Sequence, residues 1–247
     1  WGLDADHERF TSNQMFFDLA QASASGGLNN HKIYTTGRYP SYDITNLAAF
    51  LQSSYDINDI FTVSGGVRYQ YTENRVDDFI DYTQQQKIAA GKAISADAIP
   101  GGSVDYDNFL FNAGLLMHIT ERQQAWFNFS QGVALPDPGK YYGRGIYGAA
   151  VNGHLPLTKS VNVSDSKLEG VKVDSYELGW RFTGDNLRTQ IAAYYSLSNK
   201  SVERNKDLTI SVKDDRRRIY GVEGAVDYLI PDTDWSTGVN FNVLKTE

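Results

Sequence analysis

The chain has 247 residues, with 23 Lys+Arg against 30 Asp+Glu, 41% hydrophobic and 13% aromatic residues, and no cysteine. The lack of cysteine excludes a disulfide scaffold and cysteine-based zinc, iron–sulfur or nucleophile chemistry. A net charge of −7 argues against nucleic acid as a partner, because sequence-independent binding to phosphates needs a basic surface. No apolar run approaches about 18 residues, so no transmembrane helix is predicted.

Hydrophobic and polar residues alternate with a period of two along most of the chain, which predicts β-strands with one apolar and one polar face. Aromatic residues lie on the apolar faces, many of them near the predicted strand ends. We count nine strands and predict an all-β protein. The alternation is clearest over 61–72, 109–120, 124–133 and 187–198, and weaker over 1–5, 44–57, 172–183, 218–229 and 235–245.

The connections between predicted strands are alternately short and long. Short polar turns fall at 56–59, 120–122, 184–186 and 231–234, and long loops at 14–43, 76–107, 135–171 and 202–216. Short turns at one edge, long loops at the other and aromatic girdles are typical of outer-membrane barrels. The sequence therefore predicts part of a transmembrane antiparallel up-and-down β-barrel in outer-membrane lipid, with short periplasmic turns and long extracellular loops. A soluble sandwich or lectin is the competing interpretation.

The strand count has a further implication. Bacterial single-chain barrels close with even numbers of strands, and unpaired strand edges are not tolerated in lipid. We therefore expect residues 1–247 to be a piece of a larger barrel.

Motifs that could carry catalysis have simpler interpretations. The G-x-G-x-x-G match at 143–148 lacks the strand–helix context of a nucleotide site, so its glycines are expected to form loop turns. The four histidines have no pair at metal-ligand spacing, and no metal site or catalytic residue is predicted. No nucleophile elbow is present, although a Ser–His–acid triad assembled in space stays open. Asp4, Asp6 and Glu8 share one strand face and are expected to pair with arginines such as Arg68 inside the barrel.

Cations and tyrosines interleave in two of the predicted loops, Arg38-Tyr-Pro-Ser-Tyr42 and Lys140-Tyr-Tyr-Gly-Arg144-Gly-Ile-Tyr147. Arginine offers a planar fork for carboxylates, and tyrosine offers a flat apolar face with a hydroxyl group. Together they suit a bulky anionic ligand. The predicted contacts are Arg38, Tyr39, Tyr42, Tyr141, Tyr142, Arg144 and Tyr147. A third cluster, Arg216-Arg-Arg218, follows Asp214-Asp215 and is expected to be neutralised locally.

Three strand motifs resemble those of TonB-dependent outer-membrane receptors. Val173-Asp-Ser-Tyr-Glu-Leu-Gly-Trp-Arg181 is similar to their Y-E-x-G-x-[KR] strand, and Ile219-Tyr-Gly-Val-Glu-Gly224 to the following G-x-E strand. The stretch from Gln124 to Gly132, followed by Pro136, resembles their aromatic strand. Within the family, the resemblance to receptors for hydroxamate–citrate siderophores extends into the loops at 95–102 and 140–147.

The resemblance implies a barrel of about 22 strands around an N-terminal plug domain, in the outer membrane of a Gram-negative bacterium. It implies a ferric hydroxamate–citrate siderophore as ligand, imported with energy from the TonB complex. Iron would then be cargo, and no resident cofactor is expected. The plug, the TonB-contacting segment and the last strands are expected outside residues 1–247, and bacteriocins or phages are possible partners of the loops. A passive porin or an outer-membrane enzyme is the alternative.

Overall fold

The computed structural model describes residues 1–164, 170–206 and 210–247, except for the side chains of residues 140, 141, 204 and 210–212. Its main body is one antiparallel sheet of nine strands in which spatial neighbours follow the chain order. The predicted all-β, up-and-down architecture is therefore confirmed. The nine strands are β1 (Gly2–Phe17), β2 (Lys32–Asp56), β3 (Phe61–Val76), β5 (Gly102–Thr120), β6 (Gln123–Ala134), β10 (Val171–Thr183), β11 (Leu187–Arg204), β12 (Ile210–Leu229) and β13 (Ser236–Thr246).

The remaining elements are short and lie in the connections between those strands. They are α1 (Leu19–Ala24), α2 (Tyr82–Ala89), β4 (Ser95–Ala96), α3 (Pro138–Tyr141), β7 (Gly145–Tyr147), β8 (His154–Leu155) and β9 (Leu157–Ser160). Within the described residues, no helix is long and apolar enough to cross a bilayer.

The outer face of the sheet is apolar and carries an aromatic belt. Residues directly opposite each other on neighbouring strands share one face, so cross-strand pairs show which side chains are neighbours. Large apolar residues such as Leu51, Leu115 and Leu178 are exposed on this face, as lipid contact requires. The belt contains three cross-strand ring pairs, Tyr69–Phe109, Phe129–Tyr176 and Tyr195–Tyr220, with centroids 5.0, 5.2 and 6.3 Å apart.

The inner face is polar, and one ion pair there was expected from the sequence. The Nη1 of Arg68 donates to Oδ2 of Asp4 at 2.5 Å, which joins β3 to β1 across the intervening strand β2. Asn46 donates to Asp6 at 3.2 Å on the same wall. The predicted pairing with arginine is therefore confirmed for Asp4, whereas Asp6 accepts from an amide.

The receptor-like motifs interlock on this inner wall. The indole N–H of Trp126 donates to Glu177, and Arg181 donates from Nε to Oε1 of Gln124 at 2.7 Å. Gly179 lies opposite Trp126, and a Cβ at that position would collide with the indole ring. The glycine of the Y-E-x-G-x-R strand thus makes room for the tryptophan of the aromatic strand. The spacing of one motif depends on the other because the two strands are paired.

Two of the predicted long loops are mostly strand, which corrects the sequence analysis. The segment 14–43 is the paired end of β1 and β2, with only residues 18–31 connecting them, and 202–216 is largely the paired end of β11 and β12. The pattern failed there because these strand ends stand above the apolar band, where neither face meets lipid and alternation is weak. The loops at 77–101 and 135–170 are longer, and they carry the short helices and strands named above.

Placing a charge on the outer face should destabilise the barrel. Leu178 is 61% exposed within the apolar band, so we expect Leu178→Arg to lower the free energy of unfolding by about 2–4 kcal/mol. Ser130→Arg, on the polar inner wall, is the matched control and should change it by much less. The measurement is urea unfolding of the full-length protein in lipid vesicles. Equal losses for the two variants would show that the faces are assigned wrongly.

Candidate ligand-binding site

A cavity of about 890 Å³ opens among the loop-side ends of the strands, and we call it the Arg/Tyr cavity. It brings together four of the predicted contacts, which come from two distant parts of the chain. Three are carried by β2 rather than by a loop, which corrects the sequence analysis, and Arg144 follows α3. The lining residues are Gln14, Arg38, Tyr39, Tyr42, Tyr82, Asp137, Gly139 and Arg144.

The short helix α3 forms one wall of the cavity. Asp137 caps its N-terminus by accepting the backbone N–H of Gly139 at 2.9 Å, and Pro138 occupies the first turn, where a missing N–H is harmless. Gly143 then adopts a left-handed φ of +76° directly against Pro40, where a Cβ would lie 2.4 Å from Cδ of the proline. This tight turn sets the direction of the chain at Arg144. The expectation that this glycine shapes the loop is confirmed.

The floor of the cavity is an apolar cluster shared by strands and loops. Tyr42 and Tyr142 are 8% and 2% exposed and pack with three valines, Val76, Val161 and Val163. Phe10 stacks on Tyr42 with ring centroids 4.9 Å apart, an arrangement worth about 0.5–1.5 kcal/mol beyond the area that it buries. Tyr42 thus supports the floor and also faces the cavity, whereas Tyr142 lies beneath it. The side chain of Tyr141 lies outside the described part of the structure.

The opposite wall is formed by α2, which is bound to β2 by one glutamine. Oε1 of Gln85 accepts the N–H of Gly37 at 2.8 Å, and its Nε2 donates to the carbonyl of Ile80 at 2.6 Å. Tyr82, at the start of α2, donates its hydroxyl to Gln14 of β1 at 3.0 Å. These bonds fix the backbone beside Arg38 and bring Tyr82 and Gln14 to the cavity.

The charges of the cavity favour an anion. Two guanidinium groups face one carboxylate, that of Asp137. Among the described side chains, neither Arg38 nor Arg144 forms an ion pair, and both are exposed. Unpaired guanidinium groups next to tyrosine faces offer charge-assisted hydrogen bonds and flat packing surfaces.

Tyr147 is placed elsewhere, in a link between the two long loops. Its hydroxyl donates to the carbonyl of Asp97 at 2.8 Å. The Asp97 carboxylate accepts the N–H of Leu157 at 2.8 Å and contacts Nε2 of His154 at 2.9 Å, while Nδ1 of His154 lies 2.8 Å from Oγ of Ser95. We call these contacts the loop link. They hold the chain three residues beyond Arg144.

The pKa values in the loop link follow from its geometry. The hydrogen bond from the Leu157 N–H, and next that from His154, hold the pKa of Asp97 below its usual value of 3.8. Burial is the main cause that raises the pKa of Tyr147, so its hydroxyl stays protonated and able to donate.

The sequence analysis did not predict several of the residues that line the cavity. Asp137 and Gly139 had a local signal, because an Asp-Pro-Gly run is typical of a helix start. Gln14 and Tyr82 had none, since one lies on a strand and the other on a helix that meet only in the folded chain. The described residues contain no group of three side chains suited to hold a metal ion.

The apolar outer face and the polar inner wall are those of part of an outer-membrane β-barrel, and a cavity lies among the loops at one edge of the sheet. Residues 1–246 match the family model described as TonB dependent receptor-like, beta-barrel, and the chain belongs to this family. Proteins of the family are outer-membrane receptors of Gram-negative bacteria, not enzymes. The contacts of Ser95, His154 and Asp97 join the two loops, and the half-exposed Asp97 carboxylate also accepts the N–H of Leu157.

Curated relatives and solved structures agree with this assignment. The whole chain is 91% identical to the ferric aerobactin receptor of Klebsiella pneumoniae and 86% identical to that of Escherichia coli, covering 34% of each. It is 45% identical to the rhizobactin receptor of Rhizobium meliloti (strain 1021), covering 33% of it. The chain thus spans about a third of the length of the relatives that it matches.

The solved structures are distant in sequence and bear on the fold alone. The siderophore receptor PiuA of Acinetobacter baumannii matches 87% of the chain and 27% of its own, with a TM-score of 0.64 and 13% identity. The ferric yersiniabactin uptake receptor FyuA of Yersinia pestis matches 99% of the chain and 32% of its own, with a TM-score of 0.61 and 16% identity.

The loop link should weaken in acid. Because the folded-state pKa of Asp97 lies below its ordinary 3.8, the stability that its charge contributes is present above about pH 4 and is lost as the pH falls through the lowered pKa. We expect Asp97→Asn to reduce hydrogen-exchange protection at the Leu157 amide severalfold at pH 7 in the full-length protein. The difference from the native protein should shrink below the lowered pKa.

The control for this experiment is Asp59→Asn, which changes an exposed carboxylate in a periplasmic turn. It should leave protection at Leu157 unchanged. Equal protection in the native protein and Asp97→Asn at pH 7 would mean that the loop link does not hold these loops together.

Proposed function

We propose that this chain is the ligand-binding part of an outer-membrane receptor for ferric aerobactin or a closely similar ferric hydroxamate–citrate siderophore. The observation that carries the proposal is the Arg/Tyr cavity, in which two guanidinium groups, without ion-pair partners among the described side chains, lie beside three tyrosines. The cavity lies at the loop edge of the sheet, which is the extracellular side of an outer-membrane barrel. The names of the relatives that are 91% and 86% identical support the same ligand.

The size and chemistry of the cavity suit such a ligand. A volume of about 890 Å³ falls within the roughly 300–1,000 Å³ range of small-molecule sites. A citrate-based ferric siderophore is bulky and anionic, so its carboxylates can accept from Arg38 and Arg144. Its flatter surfaces can pack on Tyr39, Tyr42 and Tyr82. Tyr142 and Tyr147 do not line the cavity. Tyr142 belongs to the cluster that forms its floor, and Tyr147 belongs to the loop link.

The whole receptor would carry out import. In this proposal iron enters as cargo held by the siderophore, and no resident cofactor takes part. The polar inner wall faces the receptor's own plug domain, and the TonB complex supplies energy through a segment outside residues 1–247. Bacteriocins or phages that dock on the loops would meet the same cavity rim.

Removing either guanidinium group should weaken capture of the siderophore. A hydrogen bond to a charged group contributes about 1.5–3 kcal/mol, so we expect Arg38→Ala and Arg144→Ala each to raise the Kd for ferric aerobactin by roughly 10- to 100-fold. The measurement is equilibrium binding to the full-length protein in detergent, with iron-free aerobactin and an unrelated ferric catecholate as ligand controls.

The matched control variant is Arg122→Ala. This arginine lies in a periplasmic turn, where it pairs with Asp185 at 2.9 Å, so its loss should leave the Kd unchanged. If both cavity variants bind as tightly as the native protein, the Arg/Tyr cavity is not the site. If the native protein itself does not bind ferric aerobactin, the proposed ligand is wrong.

A further inference from the structure

Arg38 occupies an irregular position in the ladder between β1 and β2. Asn13 lies opposite Gly37 and Ser12 lies opposite Tyr39, so Arg38 is the extra residue of a β-bulge. Neighbouring residues of a regular strand point to opposite faces, whereas Arg38 and Tyr39 both line the Arg/Tyr cavity. Because a bulge re-aims a side chain, it explains how two consecutive strand residues reach one cavity.

One phenylalanine packs against the residue that precedes each arginine of the cavity. A Cβ added to Gly37 would lie 2.8 Å from Cε2 of Phe79, and a Cβ added to Gly143 would lie 3.0 Å from Cδ1 of the same ring. These two carbons are at opposite corners of the six-membered ring, so the ring stands between the two glycines. Gly37 precedes Arg38 and Gly143 precedes Arg144. The ring therefore joins the two backbone positions that carry the guanidinium groups.

The backbone that carries this ring is bonded on both sides. The N–H of Phe79 donates to the carbonyl of Ile99 at 3.0 Å, and the N–H of Ile99 donates to the carbonyl of Phe79 at 2.8 Å. Two residues earlier, the N–H of Asp77 donates to the carbonyl of Ser41 on β2 at 2.9 Å. Ile99 is buried, with only 2% of its surface exposed. Phe79 is therefore anchored both to β2 and to the far end of its own loop.

Further contacts fix the two glycines from other directions. Gln85 accepts the N–H of Gly37 at 2.8 Å and donates to its carbonyl at 3.4 Å. Gly143 is buried and packs with its left-handed backbone against Pro40 of β2. A side chain at either position would have to displace the phenyl ring, and at Gly143 the proline as well. The close approach of Phe79 thus accounts for a glycine before each arginine.

We propose that Phe79 is a positioning residue that sets the spacing of Arg38 and Arg144, so that one anionic ligand contacts both guanidinium groups at once. This inference rests on the proposed function and deepens it, because it names the residue that makes one site of two separate arginines. Phe79 acts through the two glycines. Binding costs less conformational entropy when the groups that bind are already held at the required spacing. A ligand whose carboxylates match that spacing gains from both cations.

The first measurement needs no ligand. Nitroxide labels on Arg38→Cys and Arg144→Cys in the full-length protein report the spacing of the two positions through dipolar broadening of the continuous-wave electron paramagnetic resonance spectrum. Residues 1–247 contain no cysteine that would compete for the label. We expect Phe79→Ala to widen the distribution of distances by about twofold. The matched control is Phe182→Ala, which should leave the spectrum unchanged, because that ring packs against Gly184 in a periplasmic turn.

The second measurement is a double-mutant cycle on the binding of ferric aerobactin to the full-length protein. Because one ligand contacts both arginines, the loss of affinity in Arg38→Ala/Arg144→Ala should differ by about threefold or more from the product of the two single losses. Phe79→Ala should raise the Kd roughly 5- to 20-fold, and in that background the combined loss should equal the product. A general loss of stability would lower the amount of folded receptor without removing this coupling.

A size exchange decides the matter if Phe79→Ala does not fold. Gly37→Ala pushes the ring aside and should change the spacing, and the smaller side chain in Gly37→Ala/Phe79→Leu should restore it. The inference is wrong if the spacing is unchanged in the single variants, if the exchange does not restore it, or if it changes while the Kd stays native. If the native protein does not bind ferric aerobactin, the proposed function fails, whereas the label spectra still decide whether Phe79 sets the spacing.

Discussion

The pairing of backbone groups across the sheet is the constraint on which the rest of the structure depends. In lipid, an N–H or C=O without a partner costs several kcal/mol, so every strand segment that crosses the membrane must be in register with its neighbours. Once the register is set, alternate residues must face lipid and lumen. This explains why one strand face carries Tyr176 and Leu178 while the other carries Glu177 and Gly179. It also explains why motifs on separate strands, such as those around Trp126 and Gly179, depend on each other.

The same ladder continues above the membrane and there takes a different role. Paired strand ends such as those of β1 with β2 carry the polar contacts of the site on a rigid support. Arg38, Tyr39 and Tyr42 are strand residues, so their spacing is set by the pairing of β2 with β1. The loops contribute the opposing wall, and they are ordered by specific bonds from Gln85, Asp137 and Asp97. Sites built on regular elements are held more precisely than sites on loops alone.

The fold was predictable because a period of two survives wherever one strand face meets lipid. The strand prediction failed at 14–43 and 202–216, where neither strand face meets lipid and no alternation marks the strands. The site was predictable in part: arginines interleaved with tyrosines suggested an anion site, and Arg38 and Arg144 do share a cavity. Tyr147, with the same local pattern, is held in the loop link. Local composition cannot tell a tyrosine that lines the cavity from one that is held away from it, because the partner of Tyr147 is Asp97, 50 residues away. Gln14 and Tyr82 come together only through the tertiary fold.

The loop link also bears on how wide a range of ligands the site accepts. Since the hydroxyl of Tyr147 is fixed to Asp97, the chain bearing Arg144 has little freedom to adjust when a ligand arrives. A rim of this kind loses little conformational entropy on binding, which favours a ligand that fits it as it stands. It also cannot reshape itself around a bulkier ligand, whereas flexible, repacking surfaces accept many partners. If the Arg/Tyr cavity is the site, narrow selectivity follows from a tyrosine that need not touch the ligand.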